Sequence, residues 1–239
     1  MLNISIAAEK IGSLFGFPIT NSLLATWFVM LVLIIFSWLA TRHMKMVPTG
    51  LQTIAELLVG ALHDFFTSVT GHYIETFVPL IASLFLFIIT ANWMGLLPGF
   101  STIGFYHGKE FTPLLRGATS DLNTTISLAL IAVLAIQYFG FKIVGPHYGK
   151  KFLNFKDPLS FFLGILESLS EVSRVISFAF RLFGNVFAGE VLLAVIAFLM
   201  PFIAPLPFLT LELFVGFIQA LVFSMLTAVF LNLAVSHEG

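Results

Sequence analysis

Five long stretches of mostly apolar residues constrain this chain more than any other feature of its sequence. The first, residues 23–40, carries no charge. A helix needs about 20 apolar residues to cross the hydrocarbon core of a bilayer. We therefore predict an all-α integral membrane protein, with residues 1–239 forming a single membrane domain of about five membrane-embedded helices. The predicted spans are 23–40, 77–97, 122–144, 158–200 and 208–236.

The composition supports a membrane location and excludes several functions. Hydrophobic residues make up 59% of the chain and charged residues 10%, whereas soluble domains carry about 25% charged residues. The formal net charge of −1 provides no basic surface for nucleic acid. The absence of cysteine excludes disulfides and thiolate chemistry. We predict no cofactor and no metal site.

The last two stretches are too long to stand upright in a membrane. A helix over residues 158–200 would be about 64 Å long at 1.5 Å per residue, against a hydrocarbon core of about 30 Å. It must tilt steeply or break, and Gly184 and Gly189 are possible break points that do not require one. Pro201, Pro205 and Pro207 force a turn. We predict that the two stretches form a long, steeply tilted helical hairpin.

Residues 48–70 have a different character, since apolar residues recur there at helical spacing but polar residues interrupt them. Among the interruptions are Glu56, His63 and Asp64. This pattern predicts an amphipathic helix at the membrane surface. A helix packed on the rest of the protein is an equal alternative.

Lysine and arginine set the orientation, because cytoplasmic loops carry an excess of them. In the five-span topology six basic residues fall on one side and three on the other. The C-terminus is then cytoplasmic and the N-terminus outside. The first group is Arg42, Lys45, Lys142, Lys150, Lys151 and Lys156, and the second is Lys10, Lys109 and Arg116.

Six charges fall inside the final hairpin, where each central charge costs roughly 2.5–3.5 kcal/mol on insertion scales. Four of them form part of a polar stripe on one helix face, together with Asn185 and, at its edge, Ser170 and Ser177. Glu190 lies about 13 Å beyond Arg181 on the opposite face, while Glu212 shares a face of the return helix with Gln219. The six charges are Glu167, Glu171, Arg174, Arg181, Glu190 and Glu212.

The order of these charges suggests two polar access paths that do not join. Buried carboxylates can relay protons, whereas an arginine stays charged. An arginine between two groups of acids acts as a fixed barrier, or as the counter-ion of a carboxylate from another chain. Arg174 has structural alternatives, since Glu167 and Glu171 lie on its own helix, but Arg181 has no acid three or four residues away.

Other polar residues near the outer ends of the helices have simpler explanations. For Glu190 and Glu212 the alternative is structural: they would share one proton and so hold the two helices of the hairpin together. Asn92, Asp121 and Asn123 are consistent with ordinary helix caps, and Asp121 is a plausible N-cap.

One segment carries a specific signature: residues 180–190, FRLFGNVFAGE. It resembles the signature of subunit a of F-type ATP synthases, and further similarity extends from about residue 40 onward. The other similar segments are VPTG at 47–50, ANWMGLLP at 91–98, TSDLNTT at 119–125 and IQALVF at 218–223.

The resemblance implies a stator beside a rotating ring of c subunits, each with one membrane carboxylate. Arg181 matches the essential arginine of the family, Glu190, Asn185 and Gln219 match the outer half-channel or the arginine's surroundings, and Glu167 matches the inner half-channel. The implied partners are the c-ring, subunit b of the peripheral stalk, other ATP synthase subunits, membrane lipid and H+.

One feature departs from the family pattern. The family often pairs an acid with a histidine where this chain has Glu190 and Glu212. Two close acids resist ionising together, so we expect at least one of them to carry a proton near neutral pH.

Two other functions compete with the stator, namely a stand-alone ion-coupled secondary transporter and a membrane anchor for a larger assembly. Transporters often contain internal repeats, and the first half of the chain does not repeat the final hairpin. The phosphate-binding P-loop pattern is absent, so the chain is not expected to be catalytic by itself. A relay of acids favours H+ over Na+. The expected location is a bacterial plasma membrane, with an organelle inner membrane or thylakoid as alternatives, and nothing suggests a cleaved signal peptide.

Overall fold

Long helices dominate the computed structural model, which describes residues 9–14, 17–97, 100, 104–107, 110–152, 157–201 and 203–236. Within these residues, five of the six α-helices are long and apolar enough to cross a membrane, and α2 is the exception. The prediction of an all-α membrane protein is confirmed. The helices are α1 Asn21–Thr41, α2 Leu51–Thr70, α3 Ile74–Gly95, α4 Leu122–Val144, α5 Pro158–Leu199 and α6 Pro205–Ser236.

The helix bounds agree with the predicted spans to within about three residues, and those of α4 agree fully. The start of α6 was predicted wrongly at residue 208, because Pro205 and Pro207 lie in its first turn, where a helix needs no backbone N–H donor. α5 continues without a break through Gly184 and Gly189. Residues 1–8, Pro98, Lys109 and Lys156, which entered the predictions, lie outside the described residues.

Two antiparallel hairpins were missed by the sequence analysis. β1 Lys10–Leu14 pairs with β2 Phe17–Thr20, and β3 Gly104–His107 pairs with β4 Glu110–Pro113. The side-chain amide of Asn21, at the start of α1, lies 3.5 Å from the Pro113 carbonyl oxygen, to which it donates. This hydrogen bond connects the second hairpin to the start of α1, directly after the first hairpin.

The core lies where α6 packs among α2, α3, α4 and α5. Its fully buried side chains come from α2, α3, α4, α5 and α6 and include Phe66, Phe77, Ile136, Leu182 and Leu231. These contacts place α5 and α6 side by side, so that Glu190 of α5 and Glu212 of α6 come together near the turn between the two helices.

α2 packs on the other helices, as one of the two alternatives predicted. Leu62 and Phe66 are buried, and the Asn232 side chain of α6 donates to the Val69 carbonyl oxygen at 2.9 Å. Ile54 and Leu57 on the same helix are exposed. The packing is confirmed, and the location of the outer face at the membrane surface stays a prediction.

Candidate functional site

The hairpin formed by α5 and α6 carries all six charges that the sequence places in it. Five of them lie at three levels along α5, and Glu212 lies on α6. At 1.5 Å per residue, Arg181 lies about 15 Å from Glu171 on one side and about 13 Å from Glu190 on the other. The acids of α5 therefore lie on both sides of Arg181 along the helix.

Glu190 and Glu212 line one small cavity near the turn between the helices, which we call the turn cavity. Its volume is about 20 Å³, which is room for about one water molecule. The two acids therefore share a space through which a water can join them. The other lining residues are Ala91, Asn92, Gly95, Leu96, Gly117, Val186, Val215 and Gly216.

Each of these acids lies directly against the backbone of a neighbouring glycine. A Cβ atom added to Gly189 would overlap the Glu212 carboxylate, and one added to Gly117 would lie 2.5 Å from Glu190 Oε1. Gly189 is one residue before Glu190, so both carboxylates meet the same turn of α5. Glu212 of α6 can lie this close to α5 only because Gly189 has no side chain.

The turn cavity also has a cation that the sequence analysis counted only as a loop residue. Arg116 Nε lies 3.5 Å from Glu190 Oε2, and the two side chains are 14% and 27% exposed. The two residues are 74 positions apart in the sequence, so helical spacing could not reveal the pair. The available signal was a basic residue just before α4, on the side of the membrane that was predicted to carry few basic residues.

Asn92 is more than the helix cap that its position suggested. It is buried, it donates to the Gly216 carbonyl oxygen at 3.0 Å, and its own side-chain oxygen accepts from the Thr119 hydroxyl at 2.7 Å. It therefore joins α3, α6 and the segment before α4 at the edge of the turn cavity.

Asp121 behaves as the predicted N-cap of α4. Its carboxylate accepts from the Asn123 backbone N–H at 3.1 Å and from the Asn123 side-chain amide at 3.3 Å. The capping prediction is confirmed for Asp121, and Asn123 assists it.

The other end of the hairpin contains a larger cavity, of about 270 Å³, which we call the Tyr148 cavity. Glu167, Ser170, Glu171 and Arg174 line it. Tyr148, from the segment after α4, was not predicted; its ring is buried. The volume suits several water molecules.

Arg174 makes the ion pair that the sequence offered as its structural alternative. Its Nη1 donates to both oxygens of Glu171, at 2.8 and 2.7 Å. Its guanidinium carbon also lies 3.9 Å from the centre of the Phe230 ring on α6, a favourable stacking contact. The charge of Arg174 is therefore satisfied within the chain by Glu171.

Arg181 contrasts with Arg174. It is exposed, and its one hydrogen bond to a side chain among the described residues is a long contact of 3.4 Å from Nη2 to Ser177 Oγ. No carboxylate lies within ion-pair distance of it in the described part of the chain. Asn185 and Gln219 are half-buried and line neither of the two cavities.

Comparison with known proteins identifies the family. The family model described as ATP synthase A chain matches residues 23–232. The chain belongs to the ATP synthase A chain family. This membership connects it with ATP synthesis and proton transport across a membrane, in agreement with its five apolar helices.

Individual relatives in the family are similar over most of their length. ATP synthase subunit a of Syntrophobacter fumaroxidans is 36% identical over 97% of this chain and 91% of its own. ATP synthase subunit a 1 of Pelobacter propionicus is 36% identical over 87% of this chain and 84% of its own. ATP synthase subunit a of Gloeobacter violaceus is 37% identical over 91% and 85%.

Proposed function

We propose that this chain is the proton-conducting stator subunit of the Fo sector of ATP synthase. In this proposal two offset half-channels deliver protons to and from a carboxylate on each c subunit, and Arg181 separates them. The observation that supports it best is the exposed Arg181, which has no carboxylate partner among the described residues. A cation at such a depth is costly unless it meets an anion, and a carboxylate on a neighbouring subunit would supply that anion.

The two cavities support the offset of the half-channels, because they share no lining residue. Glu190 and Glu212 would pass protons between the outside and the c-ring through the turn cavity, with Asn92 in its wall and with Asp121 and Asn123 on the same pathway at the start of α4. Glu167, Glu171 and Ser170 would serve the Tyr148 cavity on the cytoplasmic side. Asn185, Gln219 and Ser177 would provide polar contacts along the way to Arg181.

Arg181 would act in two ways in this arrangement. Its fixed charge favours the ionised form of a passing carboxylate, which must give up its proton before it reaches the arginine. It also repels protons that would otherwise pass directly from one cavity to the other. Proton flow is then coupled to ring rotation, and ATP chemistry takes place on other subunits.

The orientation and partners follow from the same proposal. The excess of basic residues puts the C-terminus in the cytoplasm, so the turn cavity opens outward and the Tyr148 cavity inward. The membrane is proposed to be a bacterial inner membrane, with subunit b and the c-ring as neighbours. The continuous α5 favours this function over a secondary transporter, which commonly uses broken helices around its binding site.

Cysteine labelling tests the two half-channels directly, because the chain has no cysteine of its own. Val186→Cys lines the turn cavity and Ser170→Cys lines the Tyr148 cavity. In oriented vesicles with the complete ATP synthase, a membrane-impermeant thiol reagent should label position 186 from outside only and position 170 from inside only. The unsubstituted chain is the control. Labelling of both positions from the same side would reject the offset half-channels.

Glu190→Gln should slow proton transport without abolishing it. The amide keeps the size of the side chain, and water together with Glu212 can partly replace the lost relay, so we expect the loss to stay below about 10²-fold, the lower limit typical of removing a proton-transfer group. Proton-driven ATP synthesis in proteoliposomes measures the effect. A loss as complete as that of Arg181→Ala would contradict this ranking.

A further inference from the structure

We propose that Arg116 is a positioning residue of the outer half-channel, which holds the Glu190 carboxylate in place for proton transfer. This inference rests on the proposed function, since it gives Arg116 a task within the turn cavity. The task is electrostatic and acts through Glu190.

The contacts of Glu190 support this assignment at both carboxylate oxygens. Oε2 lies 3.5 Å from Arg116 Nε, and Oε1 faces Gly117, where even a methyl group would come within 2.5 Å. Two consecutive residues of one segment therefore fix the position of the carboxylate, one by charge and the other by leaving space. Arg116 is only 14% exposed, so water screens the pair less than it would at a surface.

The segment that carries Arg116 is itself anchored. The Ser120 hydroxyl donates to the Gly117 carbonyl oxygen at 2.8 Å, and the Thr119 hydroxyl donates to Asn92 of α3 at 2.7 Å. The guanidinium carbon of Arg116 also lies 5.9 Å from the centre of the Phe187 ring, one helical turn before Glu190. The cation is therefore held over one turn of α5 by its own side-chain contacts and by the anchoring of the residues that follow it.

The arrangement distinguishes the two acids of the turn cavity. Glu190 has a cation beside it, whereas Glu212 lies against the bare backbone of Gly189. The guanidinium draws the Glu190 carboxylate toward the loop side of the cavity and leaves Glu212 on the α6 side. A fixed separation of this kind keeps room for the water between the two acids, which a proton relay requires.

Replacement of Arg116 in the complete ATP synthase tests the inference. Arg116→Gln removes the charge and keeps much of the length, and we expect proton-driven ATP synthesis per assembled complex to fall about tenfold. Arg116→Lys keeps the charge and should stay within about twofold of the unsubstituted chain. Lys10→Gln is the matched control, since it removes an exposed cation predicted on the same side of the membrane, and it should leave the rate unchanged.

A double-mutant cycle shows whether Arg116 acts through Glu190. In a Glu190→Gln background, Arg116→Gln should add little further loss. Equal losses in Arg116→Gln and Arg116→Lys, a full additional loss in the Glu190→Gln background, or failure of Arg116→Gln alone to assemble would overturn the inference. Arg181→Ala separates this from the proposed function: if that variant still makes ATP, the stator proposal fails, whatever Arg116 does.

Discussion

Arg181→Ala should abolish proton-driven ATP synthesis while the complex still assembles. Arg181 is exposed and has no carboxylate partner among the described residues, so its removal breaks no ion pair within the chain. We therefore expect the substituted chain to fold with little loss of stability. Transport loses both the barrier between the cavities and the cation that would meet the carboxylates of the c-ring. We expect the rate of synthesis to fall by more than about a hundredfold, or about 2.7 kcal/mol in barrier height.

Arg174 provides a matched control on the same helix face. Glu171 already satisfies its charge, so the neutral double replacement Arg174→Gln with Glu171→Gln should leave measurable synthesis. Both complexes are compared by ATP synthesis in proteoliposomes and by the amount of each subunit that co-purifies. ATP synthesis retained in Arg181→Ala would reject the stator proposal, and loss of assembly would favour the membrane anchor.

Apolar length and proline positions were sufficient to predict most of the helices. These signals are local, since a run of about 20 apolar residues has no stable place other than a bilayer or a protein core. Local spacing also offered the pair of Arg174 with Glu171 as one alternative, because side chains three residues apart are neighbours on a helix. The N-cap at Asp121 follows from the same short-range chemistry.

The contacts that could not be predicted from the sequence join segments that are far apart in the chain. Arg116 reaches Glu190 only because the end of the loop folds over α5, and Tyr148 enters its cavity from the segment after α4. Neither contact has a periodic signature. The two β-hairpins were missed for a related reason, as strands of four or five residues are too short for an alternating pattern to stand out.

The predicted start of α6 also differs from the start that the structure shows. Prolines ordinarily end a helix, which is why residue 208 was predicted as the start of α6. At the N-terminus of a helix the same residues are favourable, since their fixed φ angle suits the first turn. The turn between α5 and α6 is therefore shorter than predicted.

Gly189→Ala should strongly reduce proton transport, although it adds only one methyl group. The new Cβ atom would overlap the Glu212 carboxylate, and Gly189 is buried, so no open space exists beside it. Overpacking of this kind costs about 1–3 kcal/mol. The least costly response is a movement of Glu212 away from α5, which separates it from Glu190. We expect ATP synthesis per assembled complex to fall about tenfold or more.

Gly60 supplies the control for this change, because it also lies inside a helix and a Cβ atom there meets nothing within 4 Å. Gly60→Ala should leave transport unchanged and, by helix propensity, stabilise α2 by up to about 1 kcal/mol. Shortening Glu212 provides a second check. Gly189→Ala combined with Glu212→Asp makes room for the methyl group while it keeps a carboxylate on α6. Partial recovery in that double variant would identify the clash as the cause, whereas a Gly189→Ala chain with normal transport would show that the close approach of α5 and Glu212 has no part in proton transfer.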